Sequence, residues 1–489
     1  MTDQTDAPAA PAVIAPTPPA PAGSIEPDKV APSFRESMRE YLDRRLLAIF
    51  VFGMASGFPW VLWGSAMTAW LKESGITRAA IGVFGTVAAA YSVHFLWAPF
   101  VDRIPFPVLG RLGQRRGWIL AMQILLALAT LGIAFTHPAE SIKWTGALAL
   151  VIAFCSATQD VAIDAYRVEI IPRDEPTKIS HASATTTAGW WTGYALLGAV
   201  PFLLADRPGW TWNRIYVLLA AMWIPLMVGV LLVPEARQRR ERFKEAEEKY
   251  EKLLAQKVAP GRWARFTAWI GVTVVEPFRE FFARTGLSLG LSVLLFVFLF
   301  KLGEAFLGRM AIVFYKEVGY TDTQIGYFSK LGTAGVTIVF SMLGGLLNAR
   351  IGIIKGLFVG GIAMAASNLM FSWIAMDAAR MGHPSQNLYI ATIIVDGFTS
   401  AMSTVAFVAF ISYFTSHTYT ATQYALLSAL GTLGRTFVSG GSGFMVDALK
   451  GNWSLFFVLT ALMVIPSLIL LIFVGRLLKK RIKVWEAEA

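Results

Sequence analysis

Long apolar stretches alternate with short polar ones along residues 45–478 of this 489-residue chain. A helix needs about 20 mostly apolar residues to cross the hydrocarbon core of a bilayer. The pattern predicts an all-α membrane protein with twelve spanning helices. We number them spans 1 to 12 in chain order: 45–71, 80–101, 118–136, 145–166, 183–205, 214–233, 286–314, 322–347, 353–376, 388–412, 420–447 and 453–478.

Three polar segments divide this pattern into domains. Residues 1–40 are rich in Pro and Ala, a composition typical of an extended, disordered tail. Residues 234–285 are strongly charged and predict a solvated linker helix with paired charges. Two six-span halves, 41–233 and 286–478, flank this linker, and a short tail, 479–489, ends the chain.

Composition and charge agree with a membrane protein. Hydrophobic residues make up 55% of the chain and charged residues only 15%, against roughly 25% charged in soluble domains. About 31 of the 43 Lys and Arg fall in segments on one side of the predicted bilayer, and basic loops stay in the cytoplasm. Both termini are therefore predicted to be cytoplasmic. The net charge of +11 is explained by this excess of Lys and Arg in cytoplasmic segments, so no nucleic-acid partner is expected.

The two halves carry an internal repeat. Residues 64–84 align without a gap on residues 308–328, and eight of these 21 positions are identical, Glu73 with Glu317 among them. The offset is half the chain length. Two parallel six-helix repeats are the architecture of the major facilitator transporters, so the repeat predicts that fold.

Spans 1 and 7 are interrupted at corresponding places, by the residues GMASGFP (53–59) and KLGEAFLG (301–308). Paired broken helices in two repeats point to a binding site. The alternative is close helix packing through G-x-x-x-G, as at Gly53 and Gly57 or Gly189 and Gly193. The sequence leaves both interpretations open for span 1.

Charged residues inside a membrane are functional candidates by default. Asp160 and Asp164 lie four residues apart in span 4 and therefore share one helix face. Neighbouring carboxylates in a desolvated site hold a proton more readily than an isolated one, which is the chemistry of a proton-coupled carrier. The structural alternative is an ion pair, for Asp164 with Arg167.

The second half supplies further candidates for substrate binding. Lys301 and Glu304 in span 7 can pair on one face, either as a structural ion pair or as part of a site. Lys330 in span 8, Asp396 in span 10 and Arg435 in span 11 are also intramembrane. The three cations would suit an acidic substrate.

Secondary candidates are less specific. Gln423 and, more weakly, Gln123 and Gln159 are predicted to bind hydroxyls or amides. His94 either titrates near neutral pH or packs through hydrogen bonds. Trp190 either stacks on a sugar or packs in lipid.

Several classes of chemistry find no signal in the chain. The single cysteine, Cys155, excludes an intramolecular disulfide, and the five histidines do not fall at metal-ligand spacing. No phosphate-binding P-loop motif occurs. We expect neither an enzyme nor a cofactor, and the small-molecule carrier is expected to act as a monomer in the bilayer.

Specific segments resemble the AmpG-type muropeptide permeases of the major facilitator superfamily. The SATQD…DA stretch of span 4 and the Q-x-ALLSAL…GR stretch of span 11 are the most specific; the D-R…R-R-G pattern after span 2 is general to facilitators. The similar segments are 55–76, 90–103, 115–120, 151–172, 299–306 and 422–435.

The resemblance implies import of N-acetylglucosaminyl-1,6-anhydro-N-acetylmuramyl peptides across the bacterial inner membrane. In the family, import is driven by the proton gradient, feeds peptidoglycan recycling and in some bacteria controls β-lactamase induction. On this pattern Asp160 and Asp164 match the acidic pair of span 4, and Glu304 the acid of span 7. Lys330 and Arg435 match basic positions.

Two positions depart from that pattern. His94 stands in place of a lysine, and Asp396 in place of a glutamate. The accepted peptide length is left open by these departures and by the short segment after span 12. The alternative function is transport of acetyl-coenzyme A or another anionic solute by a carrier of the same superfamily.

Overall fold

The computed structural model describes residues 34–76, 87, 89–172, 175–205, 207–235, 275–321 and 324–488. Within these residues, ten helices are long and apolar enough to cross a membrane. They correspond to the predicted spans 1, 3 to 10 and 12, and their bounds are Arg44–Glu73, Gln114–Ala134, Pro138–Ile170, Thr177–Ala205, Trp212–Leu232, Leu287–Val318, Thr333–Ile351, Ile353–Met381, Gln386–Phe414 and Trp453–Ile482.

Spans 2 and 11 are helical but broken, and they do not reach that length and apolarity among the described residues. Span 2 contains two short helices, Ala90–Val93 and Ala98–Arg103, and its predicted first part lies mostly in residues 77–86, outside the described structure. Span 11 runs as Thr420–Phe437 and resumes, after a 3₁₀ turn, as Ser442–Ala448. Polar residues and glycines lower the hydropathy of span 11.

Helix ends follow local signals in the sequence. The side chains of Asp43, Thr211, Ser385 and Asn452 each accept a hydrogen bond from a backbone N–H in the first turn of the following helix. Such caps satisfy N–H groups that have no partner inside the helix. Gly352 separates spans 8 and 9 with a φ of 83°, a left-handed conformation that favours glycine.

The repeat appears in the packing of both halves. Trp212, at the start of span 6, donates a 2.6 Å hydrogen bond from Nε1 to Oε2 of Glu73. Trp453, at the start of span 12, donates a 2.8 Å hydrogen bond to Oε2 of Glu317. Glu73 and Glu317 are identical positions of the sequence repeat, so the same bond ties span 1 to span 6 and span 7 to span 12.

Spans 1 and 5 pack through their glycines. A Cβ at Gly57 would lie 2.0 Å from the carbonyl oxygen of Trp190, and a Cβ at Gly193 would lie 2.1 Å from that of Met54. These helices touch backbone to backbone, which only glycine allows. Close packing therefore explains Gly53, Gly57, Gly189 and Gly193. Span 7, in contrast, breaks at Lys301, between helices Leu287–Leu299 and Leu302–Val318.

One end of the bundle carries the turn between spans 2 and 3, the N-terminal helix Phe34–Glu40, the connecting helix Glu276–Thr285 and the end of span 12; we call it the basic end. The N-terminal helix corrects the prediction that residues 1–40 are disordered throughout; residues 1–33 lie outside the described structure. The connecting helix corrects the prediction of a solvated linker over 234–285, of which 236–274 are not described. Its Glu280 and Arg284 pair at 3.1 Å and are buried.

Candidate functional site

The two halves are joined at the basic end by Asp102, in the last turn of span 2. Its carboxylate accepts hydrogen bonds from the backbone N–H groups of Ala421 at 2.9 Å and Thr422 at 2.8 Å. The hydroxyl of Thr422 donates a further bond of 2.7 Å. A carboxylate at a helix N-terminus satisfies unpaired N–H groups and complements the helix dipole. Asp102 thus caps span 11 across the boundary between the halves.

Arg115 holds that cap in place. Its guanidinium donates to Asp102 at 2.7 Å and to Glu169, near the end of span 4, at 2.5 Å. Arg115 and Asp102 are both buried, 1% and 4% exposed. A buried charge is tolerated only when it is paired and hydrogen-bonded. Glu235 adds two acceptors at the start of span 3, for the backbone N–H groups of Arg115 and Arg116.

A second layer lies one turn further into the bundle. Arg167 of span 4 pairs with Asp164 at 3.3 Å and donates to the hydroxyl of Ser412 in span 10 at 2.8 Å. Its guanidinium also lies 4.9 Å from the ring centroid of Tyr424 in span 11. This is the structural alternative that the sequence left open for Asp164. A small cavity of about 20 Å³, enough for one water, lies beside Arg167 and reaches His417.

Asp160 differs from Asp164. It is half-buried, and its Oδ1 has no hydrogen-bond partner among the described residues. It lies one helical turn further from the basic end than Asp164 and interacts electrostatically with Tyr91 of span 2. Its carboxylate also interacts with the side chain of Ser56 in span 1, whereas that of Asp164 pairs with Arg167. The two aspartates of span 4 therefore differ in their partners among the described residues.

Aromatic rings surround this part of the first half. The ring of Trp60 lies 4.7 Å from that of Tyr91 and 6.0 Å from that of Trp190. Tyr194 stacks on Trp190 at 5.1 Å. We call Trp60, Tyr91, Trp190 and Tyr194 the aromatic wall. Of these four residues, the sequence indicated only Trp190. Aromatic residues are common in membrane helices, and the contacts between spans 1, 2 and 5 that bring these four together are visible only in the tertiary structure.

The second half contributes an ion pair at the break of span 7. The ammonium of Lys301 contacts Glu304 and donates to the hydroxyls of Ser403 at 2.8 Å and Thr404 at 3.0 Å. Ser400 donates to the other oxygen of Glu304 at 2.8 Å. Lys301 is 3% exposed, whereas the Glu304 side chain is 25% exposed. Hydrogen bonds therefore fix Lys301 between spans 7 and 10, and Glu304 is the more exposed member of the pair.

Asp396 and Arg435 belong to the same electrostatic cluster. Asp396 accepts a 3.0 Å hydrogen bond from Ser367 and interacts with Lys301 and Glu304. Arg435 interacts with Glu304 and Lys301, and it is exposed in the protein. The structure thus brings four of the predicted residues, on spans 7, 10 and 11, into one group.

The glutamines lie elsewhere. Gln423 is 2% exposed; its amide donates to Glu280 at 2.6 Å and to the carbonyl of Pro277 at 2.9 Å. These bonds fasten the connecting helix to span 11. Gln159 donates to the carbonyl of Ala55 in span 1 at 2.8 Å.

Three other candidates have different positions. Gln123 is fully buried in span 3, and neither amide atom has a partner among the described residues. His94 is 9% exposed, with Nδ1 2.6 Å from the carbonyl oxygen of Tyr91 and Nε2 3.5 Å from the hydroxyl of Ser428. Lys330 lies in the helical turn Ile325–Gly332, and its side chain is outside the described part of the structure.

Span 11 orders these groups by depth. From the basic end it meets Asp102 at its first turn, Asp164 near Tyr424, His94 at Ser428 and the ion pair of span 7 at Arg435. The contacts of Asp102 and Asp164 that close the bundle therefore lie at the basic end. The more exposed charges, Glu304 and Arg435, lie deeper in the bundle. No cluster of three metal-ligating side chains occurs among the described residues.

Two six-span repeats that meet around intramembrane charges define a secondary transporter of the facilitator type. The chain matches the Major Facilitator Superfamily over residues 45–328. It is 32% identical over 435 residues to a putative transporter AmpG 4 of Rickettsia conorii, covering 89% of this chain and 97% of that one. It is 33% identical over 439 residues to the anhydromuropeptide permease of Escherichia coli K12, covering 89% and 80%.

The chain belongs to the Major Facilitator Superfamily, and within it to the AmpG-type transporters. The fold is also similar to that of a proton:xylose symporter, XylE, with a TM-score of 0.63 over 88% of this chain and 95% of the symporter, at 14% identity. That similarity concerns the fold alone. The predicted all-α facilitator fold and the predicted family are confirmed, and the family consists of transporters rather than enzymes.

Proposed function

We propose that this protein imports N-acetylglucosaminyl-1,6-anhydro-N-acetylmuramyl peptides across the bacterial inner membrane, together with protons, for peptidoglycan recycling. The observation that carries the proposal is the separation of charges between the halves. The first half holds Asp160, a carboxylate whose Oδ1 has no hydrogen-bond partner within the described part of the chain. The second half holds the Lys301–Glu304 pair with Arg435 beside it.

The chemistry of the cargo suits this separation. An anhydromuropeptide carries peptide carboxylates and two sugar rings. The exposed guanidinium of Arg435 offers a donor to a carboxylate, and guanidinium–carboxylate pairs are strong and directional. The aromatic wall of the first half offers flat apolar rings that could pack on the sugar rings. The name of the Escherichia coli relative agrees with a cargo of this class.

Proton coupling follows from the different settings of the two aspartates. In the conformation closed at the basic end, Asp164 is neutralised by Arg167, whereas Asp160 takes up a proton from the opposite side. Protonation removes the cost of carrying a bare carboxylate through a closed state. Rocking of the halves then breaks the bonds at Asp102 and Ser412 and opens the basic end, where the proton and the cargo leave.

The basic end faces the cytoplasm in this proposal, as the distribution of Lys and Arg indicates. Both termini and the central linker then lie in the cytoplasm. Transport inward corresponds to loading in the conformation described here and release after the basic end opens.

Uptake in proteoliposomes tests the proposal. The purified protein is reconstituted, an inside-alkaline pH gradient is imposed and accumulation of labelled anhydromuropeptide is measured, with and without a protonophore. We expect accumulation that the protonophore abolishes. Unlabelled anhydromuropeptide should compete, and acetyl-coenzyme A should not. Competition by acetyl-coenzyme A alone would favour the anionic-solute alternative, and uptake without dependence on the gradient would exclude symport.

A further inference from the structure

A groove of about 260 Å³ lies on the outer surface of the second half, between the start of span 7 and the end of span 12. It shares no residue with the candidate site. Eight residues line it: Thr285, Gly286, Leu287, Ser288, Leu289, Leu477, Lys480 and Arg481. Span 7 begins at Leu287 and span 12 ends at Ile482, so the groove lies at the membrane boundary of the basic end.

The charge of the groove has one sign. Lys480 and Arg481 are its charged residues, and none of the eight lining residues is acidic. The adjoining helix continues this character, since the sequence RLLKKRIK (476–483) contains five cations and no carboxylate. A cluster of Lys and Arg beside a membrane helix attracts anionic lipid headgroups.

One of the two cations is fixed in position by the backbone. The guanidinium of Arg481 donates from Nε to the carbonyl of Arg284 at 3.1 Å and from Nη2 to that of Ala283 at 3.2 Å. These carbonyls end the connecting helix. The bonds therefore hold the connecting helix, span 7 and span 12 around the groove, so the groove is a built feature of the fold. Lys480 is exposed beside Arg481.

The wall of the groove is apolar on the side of the membrane. Leu287, Leu289 and Leu477 line it below the cations. Leu287 is 67% exposed, and the exposed Leu291 and Leu295 follow it at intervals of four residues along one face of span 7. A soluble anion would gain nothing from this wall. An acyl chain would lie along it, with its headgroup at the cations.

We propose that this groove binds an anionic phospholipid, with the headgroup phosphate between Lys480 and Arg481 and an acyl chain along Leu287 and Leu477. The lipid contacts the connecting helix, span 7 and span 12, and it stabilises their arrangement at the basic end. This inference is independent of the cargo.

Native mass spectrometry of protein released from nanodiscs of mixed phosphatidylglycerol and phosphatidylcholine tests the proposal. We expect the wild-type protein to retain phosphatidylglycerol in preference to phosphatidylcholine. Each basic residue near the surface contributes to lipid binding, so Lys480→Gln should lower the retained fraction about fivefold, and Lys480→Gln with Arg481→Gln about 25-fold. Arg111→Gln, which removes an exposed cation of the basic end in the other half, is the matched control.

Further arms separate the other outcomes. Equal retention by wild type and Lys480→Gln, or equal loss in Arg111→Gln, would overturn the proposal, because binding would then be unspecific attraction to a basic surface. Glycerol phosphate in solution should not raise the melting temperature of the detergent-solubilised protein, whereas phosphatidylglycerol should. Stabilisation by both alike would show a simple phosphate site. An unchanged helical circular-dichroism spectrum confirms that the variants fold.

Discussion

The carboxylate of Asp102 accepts hydrogen bonds from both the backbone N–H and the hydroxyl of Thr422, at 2.8 and 2.7 Å. The two residues are 320 positions apart in the chain and belong to different halves. Because Asp102 also pairs with Arg115, one carboxylate joins spans 2, 3 and 11. Opening of the basic end must break this contact, so it contributes to the balance between the closed and open conformations.

Replacing Asp102 with Asn should shift that balance toward opening. The variant keeps the side-chain shape but loses the charge that caps span 11 and pairs with Arg115. A loss of about 1–2 kcal/mol corresponds to roughly a five- to thirtyfold larger open population. Spin labels at Arg111 and Lys355, in a Cys155→Ser background, measure the separation of the basic ends by double electron–electron resonance.

Asp447→Asn is the control for this measurement, because Asp447 is an exposed carboxylate at the opposite end of span 11. Its distance distribution should match that of the wild type. An unchanged distribution in Asp102→Asn would show that the cap does not hold the basic end closed.

Asp160→Asn should abolish accumulation driven by a pH gradient while leaving exchange of labelled for unlabelled cargo largely intact. The amide cannot carry a proton, but exchange needs no net proton movement. The comparison uses the proteoliposome assay with both modes measured on one preparation. Asp377→Asn, at the far end of span 9, should leave both modes unchanged. Gradient-driven accumulation by Asp160→Asn at the wild-type level would remove Asp160 from the coupling mechanism.

Arg435→Ala should weaken binding of acidic cargo. A charge-assisted hydrogen bond contributes about 1.5–3 kcal/mol, so the apparent affinity should fall about tenfold or more. Arg435→Lys keeps the charge, but an ammonium lacks the planar pair of donors of a guanidinium. Its affinity for the cargo should therefore lie between the affinities of wild type and Arg435→Ala. Isothermal titration calorimetry measures the affinity, with the exposed Arg380→Ala as control. Equal affinities in wild type and Arg435→Ala would place Arg435 outside the site.

Gly57→Ala should destabilise the first half. The added Cβ would lie 2.0 Å from the carbonyl oxygen of Trp190, so spans 1 and 5 must separate. Overpacking of this kind costs about 1–3 kcal/mol, and the melting temperature in detergent should fall by several degrees. Gly64→Ala is the matched control in the same span, because no atom of the described residues lies within 4 Å of its Cβ position. A similar melting temperature for both variants would contradict the backbone contact.

The stability of the basic end should depend on pH through Asp43 and Glu175. Hydrogen bonds from Arg45 lower the pKa of both carboxyls below their usual values. A lowered folded-state pKa contributes stability that is present above the unfolded-state pKa, about 4, and is lost as the pH falls through the folded-state pKa.

The difference in melting temperature between wild type and Glu175→Gln should therefore be positive at pH 7 and shrink as the pH falls below about 4. Fluorescence-monitored melting in detergent measures it. Glu140→Gln, which changes an exposed carboxylate in the first turn of span 4, should melt like the wild type at each pH. A difference for Glu175→Gln that is as large at pH 3 as at pH 7 would contradict the assignment.

Much of the architecture could be predicted from the sequence because each signal is local. Span length follows from apolar runs, and the cap at Asp43 and the turn at Gly352 follow from residue type. The repeat was visible at Glu73 and Glu317 because their surroundings are conserved between the halves. Their partners, Trp212 and Trp453, were not predicted, since these contacts join the first and last spans of each half.

The sequence by itself determined the apolar spans, their grouping into two halves and the short set of intramembrane charges. Bilayer thickness and the cost of buried charge impose these features on any fold. Only the tertiary structure decided which charges meet. It paired Asp164 with Arg167, left Oδ1 of Asp160 without a hydrogen bond to any residue that the structure describes and placed Gln423 against the connecting helix. The reason is geometric: electrostatic energy depends on distances of a few ångströms between helices, and these distances are set by packing, including the glycine contacts of spans 1 and 5.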